Sequence, residues 1–374
     1  MTFARADNSI FSRWWWTVDR WTLTALGIII GIGALLTMAS TPAVAERLGL
    51  DPFYFVKRQL GLLPVALALM IAVSMLSPRD VRRLAMVGFV GAIALLCLTF
   101  GIGAEIKGAR RWINIAGFSL QPSEFVKPTF AVVAAWLFAQ QRKQEGFPGD
   151  AIAIGLYILV MFLLLNQPDV GMALVVTAVW FAQFFLAGLR LAWVSLLAGM
   201  GAVSAVGAYF VFPHVASRIN RFMDPSSGDT YQISTALDAF LNGGLFGRGP
   251  GEGTVKSVLP DAHADFVFAV AGEELGLIVC LGIVGLFAFV VLRGFARLLQ
   301  EQNLFILLAV SGLLVQFGLQ ALVNMGSTLH LMPTKGMTLP FISYGGSSLL
   351  ALSLGMGFVL ALTRKRYGAG EPLT

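Results

Sequence analysis

The chain contains few charged residues for its length. Asp, Glu, Lys and Arg together make up 12% of its 374 residues, whereas soluble domains carry about 25%. Hydrophobic residues make up 57%. A water-soluble globule could not cover that much apolar side-chain surface, so the composition excludes a soluble protein. It indicates an all-α polytopic membrane protein.

Three further absences narrow the possible functions. The only cysteines, Cys97 and Cys280, lie in apolar runs, so neither a disulfide framework nor a metal site is predicted, and no other ligand spacing demands a metal. The glycine-rich stretch 243–253 is not followed by Gly-Lys-Ser/Thr and no strand precedes it, which excludes a nucleotide-binding loop. No internal repeat is present, which disfavours transporter folds built from duplicated halves.

Long apolar runs predict about ten membrane spans, because a spanning helix needs about 20 apolar residues. The first run ends in Ala-Val-Ala, as at a signal-peptidase site, but it is longer than the apolar region of a signal peptide, so we interpret it as a retained span. The predicted spans cover residues 22–44, 60–77, 84–103, 124–140, 151–166, 170–188, 191–211, 266–292, 303–325 and 345–363.

Basic residues set the predicted orientation. An even number of spans places both termini on one side, and that side receives just over half of the 26 Lys and Arg residues. The positive-inside rule makes it cytoplasmic. We therefore predict one membrane domain over 1–374, with cytoplasmic segments at 1–21 and 364–374 and a large extracytoplasmic loop at 212–265.

The remaining basic residues cluster in the outer loops, which are rich in Gly, Pro and polar residues. They can be solvated loop residues and headgroup anchors, or they can form an outward-facing site for an anion at the bilayer surface. The candidates for such a site are Arg111, Lys127, Arg218, Arg221, Arg248, Lys256 and Lys335.

Residues 107–128, KGARRWINIAGFSLQPSEFVKP, contain a second candidate feature. Glu124 and Lys127 are three residues apart, so they share a helix face and can pair in a poorly solvated setting. The same residues also fit a helix start, with Ser123 as the N-cap and Glu124 in the first turn.

Residues 259–276, LPDAHADFVFAVAGEELG, bring carboxylates to the edge of the eighth span. Asp265 lies closest to its start, at the water–lipid boundary, where partial desolvation raises the pKa of a carboxylate toward values useful for a general base. An N-cap is the alternative role. His263 is either a second acid/base or a structural hydrogen bonder. Glu273 and Glu274 lie inside the span, so at least one should face a partner or a polar cavity.

Residues 324–350 interrupt the helical pattern between the last two spans with two prolines and several glycines. Irregular backbone at membrane depth is tolerated only when it is buried in protein or lines a cavity. We therefore expect this segment, which contains Lys335 and Ser343, to fold back over the site.

Four segments carry a family resemblance: RRWINIAGFSLQPSEFVK, NQPDVG, AHADFVFAVAGEELG and MPTKGMTLPFISYGGSS. They resemble the signature segments of the SEDS family (shape, elongation, division and sporulation), in the family's order and spacing over essentially all ten spans. The last segment is closer to the division members than to the elongation members. One departure is Ala264, where the family usually has Thr.

The resemblance implies the SEDS fold and a peptidoglycan glycosyltransferase of the bacterial cytoplasmic membrane, active on the outer face at the division septum. Its substrate would be lipid II, a disaccharide pentapeptide on undecaprenyl pyrophosphate. Its partners would be a class B penicillin-binding protein and other division proteins, with no nucleic acid. The family's essential Asp matches Asp265, and its functional basic residues match Arg111 and Lys127.

This chemistry agrees with the residues. A sugar 4-hydroxyl attacks the anomeric carbon of a second lipid-linked sugar, Asp265 accepts the proton, and cations stabilise the departing pyrophosphate. Mg²⁺ or Mn²⁺ could share that task. The substrate contacts predicted besides Asp265 are the seven basic residues above, Glu124, His263 and Ser343. A lipid II flippase and a non-catalytic division scaffold are the alternatives, and the scaffold makes no use of Asp265.

Overall fold

The computed structural model describes residues 9–106, 109–115, 117–188, 191–224, 231–333 and 336–365. Within these ranges the protein forms thirteen α-helices and three short β-strands. The helices are α1 (Ile10–Thr17), α2 (Arg20–Arg47), α3 (Tyr54–Ser74), α4 (Pro78–Ile102), α5 (Pro122–Lys143), α6 (Gly149–Asn166), α7 (Val170–Leu186), α8 (Leu191–Val211), α9 (Pro213–Met223), α10 (Tyr231–Gly243), α11 (Val267–Leu298), α12 (Leu304–Thr328) and α13 (Gly346–Leu362). The strands are β1 (Ala104–Ile106), β2 (Ala109–Ile115) and β3 (Phe118–Leu120).

The all-α polytopic architecture is confirmed. Each predicted span coincides with a helix, from α2 to α8 and from α11 to α13. Six of them, α2, α3, α4, α6, α11 and α12, are long and apolar enough to cross a membrane by length and composition, and α7 and α13 are shorter apolar helices. The count of ten spans stays a prediction.

Several helix ends are set by local capping. Ser77 caps α4 through its hydroxyl and Pro78 occupies the first turn, where a missing N–H costs nothing. Only residues 167–169 separate α6 from α7. The Asp169 carboxylate accepts a hydrogen bond from Met172 N at 3.2 Å, which caps α7 and turns the chain back.

Helix α12 lies in the centre of the bundle. Within its apolar window 72% of the residues are buried, against 28% for the windows of α3, α4, α6 and α11, so most residues in those four windows are not fully buried within the protein. The amide of Gln183 on α7 donates to Ala131 O on α5 (2.7 Å) and to Leu308 O on α12 (3.0 Å). This side chain ties three helices together where lipid offers no hydrogen bonds.

The two ends of the bundle differ in character. We name the two ends inner and outer after the predicted orientation. At the inner end, the buried Asp19 carboxylate pairs with Arg293 (2.8 Å) and Arg297 (2.7 Å), which joins α2 to α11. At the outer end lie the end of α2, the start of α3, the strands, and residues 231–266 and 336–345. Arg47 at the end of α2 donates to Leu259 O at 2.9 Å, and Tyr344 N donates to His263 O at 2.9 Å.

The outer segments contain more regular structure than the sequence predicts. Residues 212–265, interpreted as a loop, include α9, α10 and a 3-10 turn at Val255–Ser257. Helix α10 packs on α11, with the rings of Phe240 and Phe268 5.6 Å apart. The segment before α5 forms an antiparallel sheet in the order β1-β2-β3. Gly117 has φ 83°, which a hairpin turn requires and which glycine adopts without strain.

The orientation can be tested with single cysteines in a chain whose Cys97 and Cys280 are replaced by Ala. Gln232 on α10 and Gln144 at the end of α5 are both exposed, at opposite ends of the bundle. We expect Gln232→Cys to react with an impermeant thiol reagent in intact spheroplasts, and Gln144→Cys to react only after the membrane is permeabilised. The reverse pattern would contradict the orientation.

Candidate active site at the outer end

Helix α11 is broken at Gly276, whose φ of 80° and ψ of 175° are not helical. The break frees backbone groups on both sides, and residues 244–249 pair with them. Leu277 N and Ile278 N donate to Gly244 O (3.0 Å) and Leu245 O (3.3 Å). In return, the carbonyls of Glu273 and Glu274 accept from the N–H groups of residues 248 (2.9 Å) and 249 (3.0 Å). We call residues 243–257, which complete the broken helix, the clasp.

Glycine is required where the clasp meets the break. A Cβ on Gly276 would overlap the backbone of residues 245–247, and a Cβ on Gly247, which has φ 78°, would overlap Glu274 O. A Cβ on Gly243 would overlap Gly272 O. The glycine-rich stretch therefore allows two backbones to approach closely, and this need accounts for its composition.

The carboxylates of Glu273 and Glu274, both fully buried, also bind the clasp. Glu273 accepts from Thr254 N (2.9 Å) and Val255 N (3.1 Å). Glu274 accepts from Gly251 N (2.9 Å) and pairs with the Lys256 ammonium at 2.5 Å. Both Glu side chains thus have the partners that the sequence analysis required of at least one.

Two of the predicted anion ligands are part of the clasp. Lys256 donates to Gly251 O (2.8 Å) as well as to Glu274. The exposed Arg248 side chain donates to Asn242 O (3.3 Å) and Thr254 Oγ1 (3.4 Å). These contacts give both residues a structural task within the clasp, which the sequence analysis did not foresee.

Asp265 lies at the entrance to α11. The helix begins at Val267 with Phe266 in the N-cap position, so Asp265 is one residue outside it and the N-cap alternative is wrong. Its carbonyl accepts from Asn324 Nδ2 on α12 at 3.0 Å. Its half-buried carboxylate lies beside Gly336, where a Cβ would stand 3.0 Å from Oδ2.

Residues 336–345, which we call the cover segment, fold back over this point as predicted. Asn324 Nδ2 donates to Met337 O at 2.6 Å. Ser343 Oγ donates to Ala264 O at 2.5 Å and accepts from Leu339 N at 2.8 Å. Ser343 therefore joins the cover segment to the residue that precedes Asp265.

Lys127 is buried behind the first residues of the cover segment. Its ammonium lies 2.8 Å from Glu124 Oε2, which confirms the predicted pairing, and donates to Gln320 Oε1 at 3.1 Å. Gln320 Nε2 donates to Thr338 O at 3.1 Å. Asp265 beside Gly336 and Lys127 behind Thr338 are thus connected through three consecutive residues.

Sequence reasoning missed Gln320 and Asn324, which hold this arrangement together. Both are buried on α12, one turn apart. Two amides at i and i+4 in an apolar span were the available signal, since buried polar side chains in lipid need partners. The Ser123 N-cap is also wrong, because α5 begins at Pro122 with Gln121 in the cap position.

Arg111 is held by the turn between α6 and α7. Its guanidinium donates to Gln167 O (3.0 Å) and Pro168 O (2.7 Å), and Nη1 lies 3.7 Å from the Asp169 carboxylate. The neighbouring Arg110 points the other way and pairs with Glu105 at 3.2 Å, because successive side chains of a strand alternate. The turn at 167–169 thus serves to orient Arg111.

The remaining candidates lie around this centre or outside the described part. Arg218 and Arg221 are on α9, and the side chain of Arg221 lies outside the described residues, as does Lys335. The His263 ring lies 5.2 Å from the Phe55 ring and 5.3 Å from the Tyr344 ring. Burial lowers the pKa of His263, which favours its neutral form.

The described ranges hold no group of three His, Cys, Asp or Glu side chains placed to bind a metal ion. The acidic side chains near the centre are instead engaged separately. Glu124 pairs with Lys127, and the two adjacent carboxylates of α11 bind the clasp.

Comparison with known proteins places this arrangement in a family. A family model described as "Cell cycle protein", named for FtsW, RodA and SpoVE, matches residues 20–368. The "Probable peptidoglycan glycosyltransferase FtsW" of Caulobacter vibrioides is 48% identical over 98% of this chain and 94% of its own length. Its counterpart in Geobacter metallireducens is 36% identical over 94% of this chain and 96% of its own.

Two solved structures are also similar. A chain from a study of "structural coordination of polymerization and crosslinking by a peptidoglycan synthase complex" is 29% identical, with a TM-score of 0.75 over 92% of this chain and 97% of that one. The rod shape determining protein RodA of Thermus thermophilus is 30% identical, with a TM-score of 0.69 over 93% and 97%. The chain described here belongs to the FtsW, RodA and SpoVE family of cell cycle proteins, the SEDS family.

Proposed function

We propose that this protein is a peptidoglycan glycosyltransferase that polymerises lipid II into glycan strands at the outer face of the cytoplasmic membrane during cell division. The observation that carries the proposal is the connection of a half-buried carboxylate, Asp265, to a buried cation, Lys127, through residues 336–338 at the outer end of the bundle. The names of its curated relatives support the same activity.

Asp265 is the general base in this proposal. The 4-hydroxyl of one lipid-linked sugar attacks the anomeric carbon of another, its proton passes to the Asp265 carboxylate, and undecaprenyl pyrophosphate leaves. An α-linked donor attacked directly gives a β-linkage. One displacement with inversion therefore suffices, and no covalent carboxylate intermediate is required.

The leaving pyrophosphate gains negative charge in the transition state, so cations fixed in advance lower the barrier. Arg111 has five N–H donors, and the turn at 167–169 engages only part of the fork, so the rest can bind a phosphate oxygen. Lys127 is held more deeply, and in this proposal it acts through its charge and through Gln320, which fixes the cover segment.

Mg²⁺ or Mn²⁺ is compatible with this arrangement as an ion carried by the pyrophosphate, because phosphate oxygens are ligands for hard cations. The described side chains provide no dedicated ligand set, so the proposal assigns no step to the ion.

A class B penicillin-binding protein and other division proteins are the proposed partners, at the division septum. The similar chain from a peptidoglycan synthase complex supports a crosslinking partner. The greater similarity of the cover segment to division members than to elongation members supports the septal location.

Replacing Asp265 tests the base directly. Asp265→Asn keeps the size of the side chain but removes its ability to accept a proton, so polymer formation from lipid II should be abolished while expression and thermal stability in detergent stay near wild type. Polymer is measured on a gel, with and without a penicillin-binding partner. A yield within a few-fold of wild type would contradict the role of Asp265.

Arg111 and Arg110 form a matched pair for testing the pyrophosphate ligand. They are neighbours on β2, but only Arg111 faces the turn at 167–169. Loss of one charge-assisted contact costs about 1.5–3 kcal/mol, so Arg111→Ala should slow turnover in detergent by roughly ten- to a hundredfold. Arg110→Ala should stay within about twofold, and Arg111→Lys should restore activity only in part, because Lys lacks the planar fork.

The same assay separates a polymerase from a flippase. No translocation is needed in detergent, so a flippase would make no polymer there even as folded wild-type protein with its partner. In vesicles, a flippase would instead lose lipid transport in the Arg111→Ala variant.

The half-buried His263 predicts a pH-dependent stability. Its pKa is lowered by burial in the folded state, so below the unfolded value of about 6.5 the unfolded chain binds a proton that the folded chain does not. The free energy of unfolding should therefore decrease as the pH falls from 7.5 to 5.5. His263→Phe, which keeps a ring between Phe55 and Tyr344, should flatten that decrease in thermal unfolding experiments. An unchanged slope would contradict the assignment.

A further inference from the structure

The clasp has no task in the reaction as proposed so far. We infer that it positions the catalytic carboxylate: Glu273 and Glu274 are positioning residues that, through the clasp, set the angle of the half-helix Val267–Leu275 and thereby the place of Asp265 beside the cover segment. This inference rests on the proposed function, because it assigns a reason for holding Asp265 accurately.

The first argument is that the half-helix is separated from the rest of α11. In an unbroken helix the N–H groups of residues 277 and 278 would bond to the carbonyls of residues 273 and 274. Here both pairs are parted, and each group bonds to the clasp instead. Residues 244–249 therefore bridge the two halves of α11 with hydrogen bonds at the break.

The second argument is the cost of two carboxylates at this position. Glu273 is 0% exposed and Glu274 is 1% exposed, and ionised groups in a membrane span are expensive unless they are fully paired. Their four carboxylate oxygens receive three backbone N–H groups and the Lys256 ammonium. These side-chain bonds attach residues 251–256 of the clasp to the half-helix. They add to the four backbone bonds between residues 244–249 and the break.

The third argument is geometric. Asp265 lies eleven residues before Gly276, a separation of roughly 16 Å along the helix axis at a rise of 1.5 Å per residue. A tilt of about 4° at the break would displace the far end by about 1 Å, and a misplacement of that size can cost a hundredfold in rate. The bonds from Asn324 and Ser343 hold the near end through single backbone carbonyls, and the buried side chains of residues 267–271 pack in the core. The hydrogen bonds of the clasp fix the end of the half-helix at the break.

Kinetic measurements on two variants that weaken the contact between the clasp and the half-helix test the inference. Glu273→Leu removes both carboxylate oxygens, so Thr254 N and Val255 N lose their acceptor. Gly247→Ala places a Cβ onto Glu274 O. We expect each variant to lower kcat for lipid II polymerisation by tenfold or more, with KM within about twofold of wild type, since Arg111 is unchanged. Glu273→Asp should recover part of the lost kcat.

Two control variants match these changes in chemistry but lie at the inner end. Gly146→Ala places a side chain at a similar positive φ (83°, against 78° for Gly247), with no atom within 4 Å of the new Cβ. Asp19→Asn breaks a buried carboxylate–arginine cluster of comparable burial. Both should lower thermal stability while leaving kcat within about twofold.

A disulfide reports the position of residue 265 without any activity. In a Cys97→Ala and Cys280→Ala background, Asp265→Cys and Gly336→Cys place one sulfur near the present Asp265 Cγ, which is 3.6 Å from a Cβ on Gly336; that is within reach of a disulfide. We expect rapid oxidation with an intact clasp, and oxidation at least fivefold slower when Glu273→Leu or Gly247→Ala is added. Gly146→Ala should leave the rate unchanged.

These measurements separate the two proposals. An inactive but folded wild type, together with clasp-dependent disulfide formation, would remove the polymerase assignment and keep the positioning role. Normal kcat in the clasp variants with reduced thermal stability, or a disulfide rate insensitive to the clasp, would overturn the inference and leave the clasp as a purely stabilising element. A rise in KM with kcat unchanged would also overturn it, because it would place the effect on binding.

Discussion

A helix that is broken inside a membrane exposes backbone N–H and C=O groups that lipid cannot satisfy. In this protein the break at Gly276 meets that constraint with a second segment of the same chain, and much of the outer end follows from it. The glycines of residues 243–253 let the two backbones meet, the 3-10 turn at Val255–Ser257 places N–H groups over Glu273, and α10 brings the segment into position.

Buried charge near the bilayer is arranged by the same rule of full pairing. Lys127 is matched by Glu124 and Gln320, Glu274 by Lys256, and Asp19 by two arginines. Breaking such a pair by removing one partner leaves an uncompensated charge and costs more than the pair contributes. Variants of Lys127 are therefore expected to change both catalytic activity and stability. Arg111 is half-buried and bound mainly to backbone carbonyls, so its variants should change activity with less effect on stability.

The sequence predicted a helix at each long apolar run and a fold-back within residues 324–350, which the structure shows for residues 336–345. Both predictions succeeded because long apolar runs and prolines act locally. The sequence placed Asp265, Glu124 and Lys127 at the outer end for the same reason. It did not predict the break at Gly276, since Gly282 and Gly285 lie in the same helix without breaking it. A break depends on whether another segment supplies hydrogen bonds, which is a tertiary property.

Arg248 and Lys256 were grouped with the anion ligands because charge and side of the membrane are visible in a sequence, whereas their partners in the clasp are not. Ser123 was taken for an N-cap because the preceding Pro122 was not recognised as the first helical residue.

The order of the clasp and α11 along the chain also matters for biosynthesis. Residues 243–257 precede α11 in the sequence, so in the predicted orientation they are synthesised and translocated before the half-helix with its two carboxylates enters the membrane. The segment that pairs with the broken helix is then already present when Glu273 and Glu274 insert. Its N–H groups and Lys256 can bind the two carboxylates at once, so the carboxylates are not exposed unpaired to lipid. In a circular permutant that places the clasp after α11, the broken helix would insert before its hydrogen-bond partner is synthesised.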